Sequence, residues 1–192
     1  MEVDGDDSLI GRQVMKLLNA YYTDNPETWV VYSNLLIKSG SNYRHFSNKE
    51  IPTRVYESNS YRTAGMWITS HLKTYYRAVF MKIPPDYFWR APGLYYYYGA
   101  DIFIMMAIIE LSGKDHTHYL NEILYFYTFS GGCSGRLNVV GEKLARMKTP
   151  FLPLKDLNDT AHLTLNYTVP SNIIVQYNSA IQRGYQCIEK LR

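Results

Sequence analysis

The chain has 192 residues, 46% of them hydrophobic and 19% charged, with a formal net charge of +3. That length suits one sizeable domain with a buried core, and so small an excess of cations gives no ground for a nucleic-acid partner. The longest apolar run, Ile102 to Ile109, falls well short of the roughly 20 residues that cross a bilayer, and the acidic start is unlike a signal peptide.

The sequence therefore reads as soluble. Cys133 and Cys187 form neither a disulfide framework nor a metal-binding spacing, which points to a reducing compartment. Asn158-Asp159-Thr160 and Asn166-Tyr167-Thr168 match the glycosylation acceptor pattern, which has meaning only on a secretory route.

Val3-Asp4-Gly5-Asp6-Asp7 opens the chain as a strand end running into a tight turn, with Gly5 supplying backbone freedom. Three carboxylates in one small volume repel one another unless a cation sits between them, and hard oxygen ligands suit Mg²⁺ or Mn²⁺. The same residues also read as a solvated acidic turn. Leu9, Ile10, Val14, Leu17, Leu18 and Tyr21 then fall on one helical face, with Ser8 as N-cap and Asp24-Asn25-Pro26 as the stop. A helix starting there would point its positive end back at the turn.

Trp29 to Ile37 is β-branched and aromatic, and reads as a strand. The polar stretch from Lys38 to Thr63 reads as a long loop, with a short strand around Arg54-Val55-Tyr56. Ser70 to Phe80 predicts a helix capped by Ser70, with Leu72, Tyr75, Tyr76, Val79 and Phe80 inward. Lys73 and Arg77 would share its opposite face, to meet an anion or simply water. Ile83-Pro84-Pro85 ends it.

The aromatic segment Tyr87 to Gly99 holds Trp89 and the run Tyr95 to Tyr98. It reads either as a wall for stacking a sugar, with Trp89 and Tyr98 as binding residues, or as a sheet face packed on helices. A helix follows from Gly99-Ala100-Asp101 to the stop at Gly113, apolar on nearly all sides and hence buried. Asp101, in its first turn, suits a cap or a general base at the mouth of a cleft. Tyr119 to Phe129 reads as a strand, and Arg136 to Met147 as a polar helix. Beyond Lys155 come two strand-like runs, His162 to Val169 and Ile173 to Tyr177, and a last helix.

The order of these pieces resembles the second half of a family-2 glycosyltransferase of the GT-A fold. Asp4-Gly5-Asp6-Asp7-Ser8-Leu9 is similar to the family's Asp-x-Asp motif. Thr69-Ser70-His71-Leu72-Lys73-Thr74-Tyr75, with Phe80 downstream, resembles the SHLKTF passage of one bacterial-type branch. Tyr98-Gly99-Ala100-Asp101, through Met105-Met106 and Glu110-Leu111-Ser112-Gly113 to Ile123-Leu124-Tyr125-Phe126-Tyr127, resembles that branch's base-carrying helix and the strand after it. Ala145 to Phe151 is a weaker echo of the IRxKxPY close of the domain.

The resemblance implies an α/β protein: a partial GT-A fold, its mixed sheet flanked by helices and truncated at the N-terminus, over residues 1–155, with an extension over 156–192. It implies inverting transfer of a sugar from a nucleotide-sugar, a UDP-sugar, to a hydroxyl of a carbohydrate or lipid-linked acceptor. Asp4 and Asp6, helped by Asp7, would hold Mn²⁺ or Mg²⁺ against the diphosphate. Asp101 would take the proton of the acceptor hydroxyl, and His71 and Lys73 would lie near donor or acceptor. The location implied is cytoplasmic, with the acceptor as a link to a membrane. The alternative is a non-catalytic carbohydrate-binding or structural remnant of such an enzyme.

Overall fold

The computed structural model describes residues 1–65, 71–91, 94–96, 99–129 and 134–159, together with 175 and 179. Its centre is a five-stranded mixed sheet. Strand β2 (Val30–Ser39) runs parallel to β7 (Thr117–Thr128) along its whole length. On its other side β2 pairs antiparallel with β4 (Lys73–Tyr75) and then with β3 (Asn42–Phe46). A two-residue strand, β1 (Ser8–Leu9), pairs antiparallel with β7 at Tyr125 and Phe126.

Alternation along β2 feeds two cores, because successive side chains of a strand face opposite ways. Val31 and Leu35 pack with Val14 and Leu18 of α1 (Val14–Asp24), and with Leu72 and Tyr125. Val30 and Tyr32 enter the larger core on the other face, with Phe103, Ile108 and Ile109 of α4 (Ala100–Ser112). Helix α5 (Ser134–Met147) adds Leu144 and Ala145 to that core, and the segment after it adds Phe151 and Leu154. A strand buried on both faces must be apolar nearly throughout, as Val30 to Leu36 is apart from Ser33 and Asn34. Those two sit at a register shift, where Asn34 bonds Asn121 at 3.0 Å and Ser33 O accepts from Asn48 Nδ2.

The expected helix from Leu9 is corrected at its start. Ser8 and Leu9 pair with β7, Gly11 turns with φ of +79°, and the helix begins only at Val14, after an N-cap at Gln13. Its positive end therefore does not follow on from the acidic turn. Lys38 to Thr63 is not one loop: it holds β3, reached through a turn at Gly40, and α2 (Thr53–Glu57) where a short strand was expected. The expected helix from Ser70 to Phe80 is β4 followed by a single turn, α3 (Arg77–Phe80). Pairing with β2 overrides the helical spacing there, so Lys73 is buried while Arg77 is exposed.

The aromatic segment is a turn at Pro85–Phe88 and the small antiparallel pair β5 (Trp89–Ala91) and β6 (Leu94–Tyr95). Tyr87 and Tyr96 belong to the larger core, so much of the supposed sugar-facing wall is packing against α4. Of the tail beyond residue 159, Val175 and Ser179 are helical, where Val175 was expected in a strand; the rest of 160–192 lies outside the described residues. Gly99 is the N-cap of helix α4, with a φ of +74° and a missing Cβ that would stand 3.1 Å from the backbone of Gly141 in α5.

Arg62 and Glu110, both buried, join at 2.6 Å between Nε and Oε1. Replacing Glu110 by Gln leaves the guanidinium uncompensated. Urea denaturation should show a loss of about 3–5 kcal/mol, most of it regained in an Arg62→Met, Glu110→Gln double variant. Gly99→Ala should cost about 1–3 kcal/mol in the same assay, since a side chain there meets both the left-handed backbone and α5.

Candidate functional site

The acidic turn is held by β7. Asp7 N–H donates to Asp4 O (3.1 Å), and Asp4 N–H donates to the Tyr125 hydroxyl (3.1 Å). That hydroxyl donates to Asp7 Oδ2 (2.9 Å), while Thr128 N–H donates to Asp7 Oδ1 (2.7 Å). Burial, reinforced by the Asp7 carboxylate, keeps the Tyr125 phenol protonated well above its usual range, as a donor requires. Gly5 is not in the left-handed region and a Cβ there would meet open space, so these bonds, rather than glycine freedom, shape the turn.

His71 closes the group from two residues before β4. Its Nε2 lies 3.2 Å from Asp4 Oδ2, and its ring stacks on Tyr125 (4.6 Å) and Tyr127 (5.4 Å). One ligand atom from each of Asp4, Asp7 and His71 lies within 4.8 Å of the others, close enough for one cation to touch all three. Asp6, expected to be a ligand, is exposed and outside this trio. Burial, then the cation of Lys73, lowers the His71 pKa below its ordinary 6.5, with the nearby carboxylates opposing. The imidazole is therefore neutral at pH 7, the form that ligates metal. Two carboxylates and a neutral imidazole are a donor set that could hold a divalent cation.

Lys73, two residues on, is 2% exposed. Its ammonium lies 3.6 Å from Asp101 Oδ2 and 3.9 Å from Glu2 Oε2. Glu2 reaches it because the first residues bridge to β4, and Glu2 also accepts a hydrogen bond from Tyr75 OH. Asp101 sits in the first turn of α4, where Gly99 is the N-cap, and its side chain is 44% exposed. A solvent-facing carboxylate beside a buried cation can accept a proton from a bound hydroxyl.

The structure thus gathers Asp4, Asp7, His71, Lys73 and Asp101 in one place. Trp89 packs edge-on to Tyr95 on the small sheet, and no contact described joins it to the cluster. Tyr98 lies outside the described residues. Glu2, Tyr125 and Tyr127 were missed by sequence reasoning. Strand alternation gives a signal for each: Glu2 with Asp4, and Tyr125 with Tyr127, are two residues apart.

No family model, curated protein or solved structure matches the chain. Among the described residues, no helix is long and apolar enough to cross a membrane.

Because His71 is harder to protonate when folded, unfolding takes up a proton between its folded pKa and 6.5. Its contribution to stability is whole above 6.5 and is lost as the pH falls through the folded value. Urea midpoints of wild type and His71→Gln, compared from pH 7.5 downwards, should converge as the pH falls; curves that stay parallel would show His71 titrating as it does in the unfolded chain.

Proposed function

We propose that the chain carries the metal-binding and catalytic part of an inverting, GT-A-type glycosyltransferase that uses a nucleotide-sugar donor, a UDP-sugar in the first instance. The observation that carries this reading is the meeting of Asp4, Asp7 and His71 with the Lys73–Asp101 pair, from three parts of the chain. Those are among the residues that the family resemblance assigns to the metal, the acceptor base and their surroundings.

Asp4, Asp7 and His71 would hold Mn²⁺ or Mg²⁺. A cation bound there supplies positive charge to a departing diphosphate. Asp101 takes the proton of the acceptor hydroxyl as its oxygen forms a bond to the anomeric carbon. The bond from that carbon to the diphosphate oxygen breaks, and its electron pair leaves with the nucleotide. Lys73, buried between Glu2 and Asp101, holds the base carboxylate in place before the acceptor arrives. The acceptor is a carbohydrate or lipid-linked hydroxyl, and the setting cytoplasmic, with contact to a membrane through such an acceptor.

Thermal melts with Mn²⁺, with UDP and with both test this directly. A ligand at 100 times its dissociation constant adds about 2.7 kcal/mol, a clear rise in Tm. The rise should be largest with both together and should vanish in Asp4→Asn, a change at a half-exposed side chain. Asp101→Asn should keep it. A cooperative melt that neither ligand moves would overturn the assignment, and a shift with sugars alone, indifferent to chelator, would favour the non-catalytic carbohydrate-binding remnant.

A further inference from the structure

A cavity of about 390 Å³ lies at the C-terminal end of α4, between the last residues of α2 and the stretch after α5. Its size is that of a small-molecule site. It is separate from the cluster around Asp101: Ser112, on its wall, comes eleven residues later on the same helix, roughly 16 Å along the axis. The frame is tight. A Cβ on Gly113, whose φ is +62°, would stand 3.2 Å from Pro153, and Leu154 N–H donates to Leu111 O at 2.8 Å.

Two features of the lining call for a ligand. Ser112 is 1% exposed, and its hydroxyl has no hydrogen-bond partner among the described residues. Buried hydroxyls are rarely left unanswered, so one on a cavity wall is best met from within the cavity. The second feature is charge. Glu57 and Asp115 line the cavity together with Lys114 and Lys155, all four exposed, yet no ion pair joins any of them among the described residues. His116 adds an acceptor. Its Nδ1 donates to Glu27 O at 2.6 Å, since a carbonyl only accepts, and its ring lies flat on Trp29 at 3.6 Å. In the neutral ring Nε2 therefore keeps its lone pair. The C-terminal end of α4 is itself negative.

We propose that this cavity binds a small zwitterion of the amino-acid class. Glu57, Asp115 and the end of α4 receive its ammonium, with His116 Nε2 and Ser112 Oγ as further acceptors, and Lys114 and Lys155 receive its carboxylate. Tyr56, whose ring is held edge-on to Tyr61 at 5.6 Å, gives an apolar side for the rest of the molecule, together with Pro153 and Leu154. A simple cation would leave two ammonium groups unanswered. A simple anion would meet two carboxylates and the negative end of a helix. A ligand with both charges answers both pairs. This site stands or falls independently of the transferase reading and of any metal.

Three probes that share one body separate the charges: L-phenylalanine, phenethylamine and 3-phenylpropionate, each titrated with the full chain and followed by ligand-observed nuclear magnetic resonance. L-phenylalanine should bind about three-fold or more tighter than either analogue, the gain expected of partly exposed charge contacts. Glu57→Gln should weaken L-phenylalanine and phenethylamine and spare 3-phenylpropionate. Lys155→Gln should weaken L-phenylalanine and 3-phenylpropionate and spare phenethylamine. Both changes are at exposed positions, and their thermal melts should match wild type. Ser112→Ala should weaken L-phenylalanine without lowering Tm, because its hydroxyl has no partner among the described residues to lose. Wild type that does not bind L-phenylalanine, or binds it no tighter than either analogue, overturns the proposal. So does binding that none of the three substitutions alters, which would place the ligand elsewhere.

Discussion

The ion pair of Arg62 with Glu110 is the constraint on which the larger core depends. Arg62 Nε donates to Glu110 Oε1 (2.6 Å), its Nη2 to Tyr87 OH (3.1 Å), and its Nη1 to the Ala145 carbonyl of α5. Glu110 in turn accepts from Phe151 N–H (3.0 Å). One pair thus ties the segment after α2, the turn before β5, α4, α5 and the stretch beyond α5. A buried pair contributes little net stability. What it does here is fix an orientation. Helix α4 is apolar on nearly every side, so hydrophobic burial alone leaves its rotation about its own axis undetermined. Glu110 sets that rotation. Asp101, nine residues earlier, is then about half a turn away around the helix and roughly 13 Å along it, pointing to Lys73 instead of to Arg62.

The 19 tyrosines have a related use. Tyr32 is fully buried, yet its hydroxyl accepts from Ile51 N–H (3.0 Å) and donates to Lys49 O (3.2 Å), fastening the segment before α2 to the sheet. Tyr119 does the same for Asn48, and Tyr125 for the acidic turn. Each brings a large apolar body and one polar tip, which lets irregular backbone lie against a core without orphaned groups.

These two devices mark what was legible in the sequence. Strand β2 and helices α4 and α5 carry strong local patterns, and the structure has them within a few residues of the expected bounds. The short elements were misread wherever pairing decided them. Leu72-Lys73-Thr74-Tyr75 has helical spacing, yet it takes the strand that β2 offers; Ser8 looks like an N-cap and is a rung of the sheet. At the site, Asp4, Asp7, Asp101, His71 and Lys73 were all visible as chemistry-bearing types. Which carboxylate faces the histidine was not, because Asp4, Asp6 and Asp7 differ only in the bonds Tyr125 and Thr128 make to the turn. Lys73 was read as a surface cation, and only its placement beside Tyr32 in the sheet buries it.

The sharing of that one buried lysine between Glu2 and Asp101 has a kinetic meaning. Four carboxylates, on Glu2, Asp4, Asp7 and Asp101, surround a single ammonium and a histidine that burial keeps neutral. The cluster therefore presents an electronegative mouth that attracts cations and slows the approach of anions. Rising ionic strength would screen the repulsion of anions and the attraction of cations alike.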